Sequence, residues 1–347
     1  MKDLRNYSLK QHNTFGIDVR CKRFVEFDSE DEVVKFVTGG ELTEPFFVLG
    51  GGANILFTKD FNGTILHSAI RGARCEERLR VGEPCSGMRG ARCEVRFGSG
   101  VEWDDVVAYS IAHGLYGAEN LSIIPGEVGA SAVQNIGAYG VEVKDLITAV
   151  EAIDLKTGEK VVFENSDCEY GYRQSKFKNE WKGRYFITYV TYRFEKVFRP
   201  KLEYGNILSY LESHGKNNPT AQELRNAIIE IRNSKLPDTK VLGNGGSFFI
   251  NPIVGRAKYE ELRTNYPEMP HYTIDEEHEK IPAGWLIEKC GWKGKSLGRA
   301  GVYEKQALVL VNRGGASGEE ILNLCRAICD DVKKQFDIEI HPEVNII

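Results

Sequence analysis

The sequence predicts a protein that mixes α-helices with β-strands and is divided into two or three domains. Its 347 residues are enough to bury more than one core, because 41% are hydrophobic and 27% are charged. A strand-like run near the start enters an amphipathic helix, and a short apolar strand follows it. Two long glycine-rich segments, at residues 50–54 and 126–140, then indicate loops that approach a ligand closely.

Composition narrows the class of function. The formal net charge of −5 argues against broad binding to nucleic acid, which needs a basic surface, and favours small-molecule substrates. No apolar run approaches the roughly 20 residues of a membrane helix, and the first ten residues lack a secretion signal, so we expect a cytoplasmic protein. The eight cysteines lack C-x-x-C spacing and the seven histidines are scattered, which predicts reduced thiols and no metal.

The first helix is predicted within "FVEFDSEDEVVKFVTGG". Ser29 and Glu32 have the spacing of a capping box, and Val33 and Phe36 contribute to an apolar face. The glycine pair that follows ends the helix. The next segment, "PFFVLG", reads as a short buried strand, which gives a β-α-β start.

The first glycine-rich segment, "GGGANILF", does not fit the dinucleotide fingerprint. That fingerprint requires G-x-G-x-x-G with a helix behind it, whereas here Ile55, Leu56 and Phe57 continue as a strand. What remains is a run of backbone amides with little side chain around them, which suits a phosphate group. A purely structural turn is the alternative interpretation.

The second glycine-rich segment is "IPGEVGASAVQNIGAYG", after the helical "VEWDDVVAYSIAHGL". It has small residues at most positions where a helix or strand would place bulky ones. We interpret both glycine-rich segments as loops without charged side chains. Two such loops favour a large flat ligand that carries a pyrophosphate.

Seven motifs occur in the order found in the UDP-N-acetylenolpyruvoylglucosamine reductase family, and the resemblance covers nearly the whole chain. They are "NTFGID", "VLGGGANILF", "IPGEVGASAVQNIGAYG", "GYRQSKFK", "KLPDTKVLGNGGSFFINP", "PAGWLIEKCGWKG" and "HPEVNII". The resemblance implies an FAD-dependent enzyme of peptidoglycan precursor synthesis. In such enzymes NADPH reduces the flavin, which then reduces the enolpyruvyl group of a UDP-sugar.

The fold implied by this resemblance is α+β and three-lobed. Two lobes form an FAD-binding domain of the PCMH type, similar to vanillyl-alcohol oxidase, and an α+β domain binds the substrate. We expect FAD-binding lobes at residues 1–70 and 71–215, a substrate-binding domain at 216–330, and a C-terminal strand at 331–347 that returns to the active site.

The resemblance also assigns FAD to the two glycine-rich loops. The implied cofactor-binding residues are Gly50, Gly51, Gly52, Ala53, Asn54, Gly126, Gly129, Ala130, Ser131, Gln134, Asn135, Gly137, Ala138, Tyr139 and Gly140. Many family members have serine where this chain has Ala53. If that serine contacts the pyrophosphate, its absence removes one hydrogen bond, about 0.5–1.5 kcal/mol.

Three catalytic residues are implied by the matching motifs: Ser247, Arg173 and Glu343. Ser247 would give a proton to the carbon next to the one that accepts hydride, which requires a hydroxyl held close to a strongly basic centre. The neighbouring glycines would let the backbone approach, and two phenylalanines would anchor the turn and exclude water. Arg173 and Glu343 would stabilise the enolate-like charge.

The UDP-sugar is expected to contact five further residues, which are Tyr172, Tyr204, Lys235, Asn251 and Gln306. The segment around Tyr204 resembles the extra loop of the longer form of these reductases, where a tyrosine closes over the substrate as a lid. We expect a monomer whose partners are small molecules.

Two alternatives remain open at this level, namely another FAD-dependent oxidoreductase of the same fold and a nucleotide-sugar binder without catalysis. Two features have no assigned function. "RGARCE" occurs at Arg71 and again at Arg89, which predicts an exposed strand pair. Cys325 and Cys329 fall on the apolar side of a C-terminal helix, where we expect core packing.

Overall fold

The computed structural model describes residues 1–76 and 92–347. No helix within these ranges is both long enough and apolar enough to cross a membrane. The helices are α1 (Glu30–Thr38), α2 (Trp103–Ala112), α3 (Val128–Gln134), α4 (Ile207–Ser213), α5 (Ala221–Lys235), α6 (Arg256–Asn265), α7 (Ala283–Lys289) and α8 (Gly318–Phe336).

The strands are mostly short, and several have only two residues. They are β1 (Lys2–Ser8), β2 (Arg20–Phe27), β3 (Phe46–Leu49), β4 (Ile55–Leu56), β5 (Phe61–Ser68), β6 (Ala73–Glu76), β7 (Arg92–Gly98), β8 (Gly137–Ala138), β9 (Val141–Glu142), β10 (Ile147–Asp154), β11 (Lys160–Glu164), β12 (Tyr185–Glu195), β13 (Asn244–Ser247), β14 (Ile253–Gly255), β15 (Tyr272–Thr273), β16 (His278–Lys280), β17 (Ser296–Leu297), β18 (Ala300–Val302), β19 (Val309–Asn312) and β20 (Asn345–Ile346).

Segments Met1–Tyr7, Cys21–Gly51 and Asn62–Arg232 form the first of two compact units. It contains a sheet in the order β1-β2-β5-β3, in which β3 and β5 are parallel. Its five-stranded sheet, β11-β10-β12-β7-β6, is antiparallel throughout. Helix α1 lies between β2 and β3 in the chain, so the predicted β-α-β start is confirmed.

Helix α1 forms where its apolar residues recur at helical spacing. Val33 and Phe36 are buried, and the Phe36 ring meets the Phe27 ring edge-on at 5.3 Å between centroids. The predicted capping box is not formed, because Ser29 makes no side-chain cap and Glu32 Oε2 accepts instead from the Asp28 amide at 2.8 Å. The helix prediction is therefore confirmed and its capping prediction is wrong.

Helices α4 and α5 pack together in the first unit through Ile207, Leu211, Leu224 and Ile228. The three-residue spacing of Thr220 and Glu223 in the sequence predicts a capping box at the start of α5. It is present: the Glu223 amide donates to Thr220 Oγ at 3.2 Å, and the Thr220 amide donates to Glu223 Oε2 at 2.9 Å.

Segments Ser8–Arg20, Gly52–Phe61 and Asn233–Ile347 form the second unit. Its larger sheet has the order β13-β19-β18-β17, and a smaller one has the order β14-β16-β15. A short parallel pair joins β20 to β4. Helix α8 starts with a capping box from Ser317 and Glu320. Cys325 is buried among its apolar residues, as predicted, whereas Cys329 is only half-buried.

The two units are discontinuous in sequence and differ from the predicted lobes, whose boundaries stay a prediction. The boundary at residue 330 falls inside α8, which continues to Phe336. The expected C-terminal strand is shorter than its alternating sequence suggested, because only Asn345–Ile346 pairs as a strand beyond an isolated bridge at Pro342.

The duplicated "RGARCE" motif lies partly outside the described residues. Strand β6, in its first copy, pairs antiparallel with β7, which begins in the second copy, so the expected strand pair is present. The expectation that it is exposed is wrong for β7, where Cys93 is buried at 2% exposure. Cys85 and Arg89 fall in the segment that is not described.

Candidate active site

The two glycine-rich loops meet in the first unit. A Cβ placed on Gly50 would stand 3.2 Å from the Ala130 Cβ, and one on Gly51 would stand 3.3 Å from the Gly126 Cα. Those distances are tighter than ordinary side-chain contacts, so larger residues would force the loops apart. The sequence predicted two close-approach loops, and the structure brings them into contact with each other.

The rest of the first loop belongs to the second unit. Gly52 has φ +64°, and a Cβ there would lie 2.1 Å from the His12 carbonyl oxygen, which only glycine permits. Asn54 ties this segment to the C-terminal end, since its carbonyl accepts from the Asn345 amide at 3.0 Å and its side chain donates to the Glu343 carbonyl at 3.4 Å. Ala53 follows Gly52 and is half-buried.

The second loop begins at Gly126 and continues into α3. Gly129 fits against Ser99, whose carbonyl accepts from the Gly129 amide at 2.9 Å. Ser131 is buried, where its hydroxyl lies 2.7 Å from the Val128 carbonyl and 2.7 Å from the Tyr192 hydroxyl. The hydroxyl of Ser131 is therefore engaged in the core, and its assignment to FAD stays a prediction.

Two other side chains of this loop also have intramolecular partners. Asn135 is fully buried, and its backbone is in the left-handed conformation. Its side-chain Nδ2 donates to the Gly171 carbonyl at 2.7 Å, and its Oδ1 accepts from the Lys144 amide. Gln134 Oε1 accepts from Lys178 Nζ at 3.2 Å. These contacts hold the loop in shape and leave its backbone as the surface offered to a ligand.

The end of the second loop supports Arg173. This residue has φ +56°, and its guanidinium donates to the Gly137 carbonyl at 2.7 Å. The neighbouring Tyr172 is exposed, with its ring centroid 5.8 Å from the Arg173 guanidinium carbon. The structure thus brings a candidate catalytic residue into contact with a predicted cofactor loop, at the carbonyl of Gly137, which precedes Ala138.

Tyr204 packs on the same loop. A Cβ on Gly140, where φ is +77°, would lie 3.2 Å from the Tyr204 Cβ, and Gly205 lies beside the Tyr139 ring. The Tyr204 side chain remains 56% exposed. The Tyr139 carbonyl accepts from Asn120 Nδ2 at 2.9 Å, which fixes the loop beneath it.

Ser247 lies at the end of β13, in the second unit. Glycines bring the backbone close to Phe15, because a Cβ on Gly243 would stand 2.3 Å from the Phe15 carbonyl oxygen. A Cβ on Gly245 would stand 2.6 Å from the Phe15 ring. Gly246 has φ +68°, and the next side chain, Ser247, is exposed.

The two phenylalanines after Ser247 anchor this strand, as predicted. Phe248 is fully buried and meets the Phe15 ring edge-on at 6.1 Å, while Phe249 is 2% exposed and forms a bridge with Pro342. The Glu343 amide donates to the Phe248 carbonyl at 2.8 Å. Ser247 and Glu343 therefore lie on adjoining segments of one unit, and Glu343 is half-buried.

The remaining predicted substrate residues fall in two places. Asn251 and Gln306 converge on the start of α7, since Asn251 Oδ1 accepts from the Ala283 amide at 2.9 Å and Gln306 Oε1 would lie 3.2 Å from a Cβ on Gly284. Lys235 is exposed and ends α5.

Sequence reasoning missed Arg232, which lies on α5, three positions before Lys235. Its Nε is buried and has no hydrogen-bond partner among the described residues. Burial lowers the pKa of Arg232. The nearby Arg173 lowers it further, whereas Tyr139 and Asp104 raise it. A guanidinium nevertheless stays charged in proteins. In the sequence, Arg232 lies three residues before Lys235 in "RNSKLPD", which could have indicated a second cation near the substrate, but nothing in the sequence shows that it is buried.

Glu127 is a second residue that the sequence reading passed over, and the expectation of uncharged loops is wrong at this position. Its side chain is buried next to Gly50 and Gly51. Burial, with repulsion from Glu102, raises the pKa of Glu127 to about 8. A carboxyl that is neutral at neutral pH is compatible with a loop that binds an anionic pyrophosphate. The two glycine-rich loops together therefore suit FAD.

Comparison with known proteins covers the whole chain. Residues 21–164 match the family described as FAD binding domain, and residues 237–347 match the C-terminal domain of UDP-N-acetylenolpyruvoylglucosamine reductase. A UDP-N-acetylenolpyruvoylglucosamine reductase of Bacteroides fragilis is 51% identical over 343 residues, which is 99% of each chain. One from Porphyromonas gingivalis is 44% identical over 352 residues, with 99% of each chain covered.

A solved structure shows the same fold. UDP-N-acetylenolpyruvylglucosamine reductase from Thermus caldophilus superposes with a TM-score of 0.65 at 21% identity, over 99% of this chain and 98% of its own. This likeness confirms the α+β fold with an FAD-binding domain that the motifs predicted.

The FAD-binding domain and its paired glycine loops define an oxidoreductase that uses a flavin. The chain belongs to the UDP-N-acetylenolpyruvoylglucosamine reductase family, as the identity over its full length shows. The predicted enzyme class, the FAD cofactor and the place in peptidoglycan precursor synthesis are thereby confirmed. NADPH is the usual reductant of this family.

Proposed function

We propose that this protein reduces UDP-N-acetylglucosamine enolpyruvate to UDP-N-acetylmuramate, with NADPH as the source of electrons. The observation that supports the proposal most strongly is 51% identity, over 99% of both chains, to a reductase named for this substrate. The proposal includes a monomer that works in the cytoplasm on small molecules.

FAD, when bound and reduced, supplies a hydride to the terminal carbon of the enolpyruvyl double bond. The adjacent carbon then carries negative charge and needs a proton. We assign this proton to Ser247, because the residue is exposed while its neighbours Phe248 and Phe249 are buried and hold its backbone. A weak acid of this kind can act only where it is held close to a strongly basic carbon.

Arg173 and Glu343 are proposed to stabilise the charge that develops on the substrate carboxylate. The Arg173 guanidinium is positioned by its bond to the Gly137 carbonyl, and further donors of its planar fork suit a carboxylate. The Glu343 amide donates to the carbonyl of Phe248, the residue after Ser247, and this backbone contact supports the assignment of Glu343 to the same site.

The UDP part of the substrate needs cations and a cover. We assign Lys235 and Arg232 to its phosphates, because both are cations near the end of α5 and Arg232 Nε has no hydrogen-bond partner within the described ranges. Tyr204, exposed above Gly140, is assigned the role of a lid. Asn251 and Gln306 would position the sugar from the start of α7.

One experiment tests both half-reactions in a single cuvette. The purified protein, loaded with FAD, is mixed anaerobically with NADPH and then with UDP-N-acetylglucosamine enolpyruvate while its visible spectrum is recorded. We expect the flavin absorbance to bleach with NADPH and to recover with the enolpyruvyl sugar. Recovery only with oxygen or another acceptor would favour another FAD-dependent oxidoreductase, and failure to bind FAD would favour a nucleotide-sugar binder.

A further inference from the structure

The Glu127 carboxyl is buried against the first glycine loop. A Cβ on Gly50 would stand 3.4 Å from Glu127 Oε2, and a Cβ on Gly51 would stand 3.7 Å from Glu127 Cγ. The side chain is 6% exposed. This carboxyl is therefore part of the wall that supports the loop, although none of the steps described above uses it.

His67 links the same carboxyl to the strand that enters the loop. Its Nδ1 lies 2.9 Å from the Leu49 carbonyl, which directly precedes Gly50, and its Nε2 lies 3.7 Å from Glu127 Oε1. A carbonyl can only accept, so Nδ1 carries the hydrogen, and Nε2 of the neutral ring is an acceptor that faces Glu127. His67 therefore contacts the residue that precedes the loop, and Glu127 contacts the loop itself.

The charged groups around this pair act in opposite directions: Glu26 raises the pKa of both side chains, which disfavours ionised Glu127 but favours charged His67. Glu26 Oε2 lies 3.7 Å from His67 Nε2, and the other Glu26 oxygen pairs with the Lys2 ammonium. Glu102, which bridges to Glu127 through the backbone, adds negative charge, and Arg71 opposes it. Burial raises the pKa of Glu127 and lowers that of His67, so both side chains are uncharged at neutral pH.

We propose that Glu127 is a positioning residue that supports the FAD loop as a neutral carboxylic acid, and that its ionisation in alkaline solution weakens FAD binding. The physical reason is that a carboxylate buried at Gly50 and Gly51 would repel an anionic pyrophosphate through a medium of low dielectric constant. This inference rests on the proposed assignment of the first loop to FAD.

The test is a titration of the flavin-free protein with FAD, followed by flavin fluorescence, between pH 6 and pH 9. For the natural protein we expect the Kd to rise about tenfold from pH 7 to pH 9, as one group ionises. Glu127→Gln keeps the shape and cannot ionise, so its Kd should stay flat near the natural value at pH 7. Glu119→Gln is the matched control, because Glu119 is also a buried carboxyl with a raised pKa but does not contact Gly50 or Gly51.

The outcomes separate this inference from the proposed function. A Kd that rises equally in the natural protein and in Glu127→Gln would overturn the inference and leave the proposed function intact. A natural protein that binds no FAD at any pH would overturn both. If Glu127→Gln does not fold, Glu127→Met is the second neutral variant and should give the same flat profile.

A second readout needs no FAD. The pKa of Glu127 is about 8 in the folded state, whereas the ordinary pKa of a glutamate, which applies to the unfolded chain, is 4.5. The unfolding free energy of the flavin-free protein should therefore fall as pH rises between these values, relative to that of Glu127→Gln. Parallel pH profiles for the two proteins would show that the carboxyl is ionised when folded, which contradicts the inference.

Discussion

The Glu343 amide donates to the Phe248 carbonyl at 2.8 Å, which fixes the proposed enolate-stabilising residue beside the residue that follows Ser247. Phe248 is fully buried, so this bond is anchored in the core. The arrangement couples two candidate catalytic side chains through one rigid segment of backbone. It also means that the two can be tested by side-chain replacement without removing the bond that positions them.

Ser247→Ala should separate the two half-reactions. Flavin reduction by NADPH should stay at its natural rate, while reoxidation by the enolpyruvyl sugar should slow by about two to four powers of ten, the range for a positioned acid. Stopped-flow absorbance under anaerobic conditions measures both rates. Ser213→Ala, another exposed serine, is the control, and equal loss of both rates in Ser247→Ala would assign Ser247 a structural role.

Gly243→Ala should destabilise the protein, because its Cβ would stand 2.3 Å from the Phe15 carbonyl oxygen. Overpacking against backbone that cannot move costs about 1–3 kcal/mol, and this contact belongs at the upper end. Urea unfolding gives the difference in free energy. Gly255→Ala is the matched control, since nothing lies within 4 Å of a Cβ there, and an equal loss in both variants would contradict the explanation.

Tyr204→Phe should raise the KM for the UDP-sugar without changing the rate of flavin reduction by NADPH. The ring would still pack on Gly140, so the change removes only the hydroxyl of the residue proposed to close over the UDP-sugar. Steady-state kinetics with each substrate varied in turn measure the effect. Tyr272→Phe, at a similarly exposed tyrosine, should leave both constants unchanged, and an unaltered KM in Tyr204→Phe would remove the lid from the proposal.

Local sequence rules predicted the parts of the fold that depend on local contacts. The helical spacing of Val33 and Phe36, and the box of Thr220 and Glu223, act within a few residues and were confirmed. The Ser29 capping box is absent: Glu32 Oε2 accepts from the Asp28 amide, and Glu32 Oε1 accepts from the N-terminal ammonium of Met1. Whether such a box forms therefore depends also on residues distant in the chain.

In the candidate site, too, features that depend on nearby residues were predicted, and features that depend on distant residues were not. The glycines around Ser247 were predicted to permit close approach, but their partner, the Phe15 backbone, lies more than 220 residues away in sequence. Arg232 and Glu127 were missed because an isolated charge in sequence is usually a solvated one. Only tertiary packing buries them, and that burial is what makes each a candidate for function.

The ion pair of Arg225 with Asp104 should support the first unit in a pH-dependent manner. The guanidinium donates to both carboxylate oxygens, at 2.7 and 2.8 Å. Burial raises the pKa of Asp104, but the hydrogen bonds from Arg225 and from the Ile123 amide outweigh it and hold this pKa below the usual value of 3.8. The stabilisation is therefore present above that usual value and is lost as pH falls through the lowered pKa.

Arg225→Ala should lower the unfolding free energy by about 1–3 kcal/mol at pH 7, as expected for charge-assisted hydrogen bonds to a partly exposed carboxylate. Arg326→Ala, which removes an exposed pair with Glu319, should change it by less than about 1 kcal/mol. Urea unfolding at pH 7 and again near pH 3 measures both variants. The loss of unfolding free energy in Arg225→Ala should be smaller in acid, because protonated Asp104 no longer attracts the guanidinium. A loss that is the same at both pH values would mean that Arg225 contributes through packing alone.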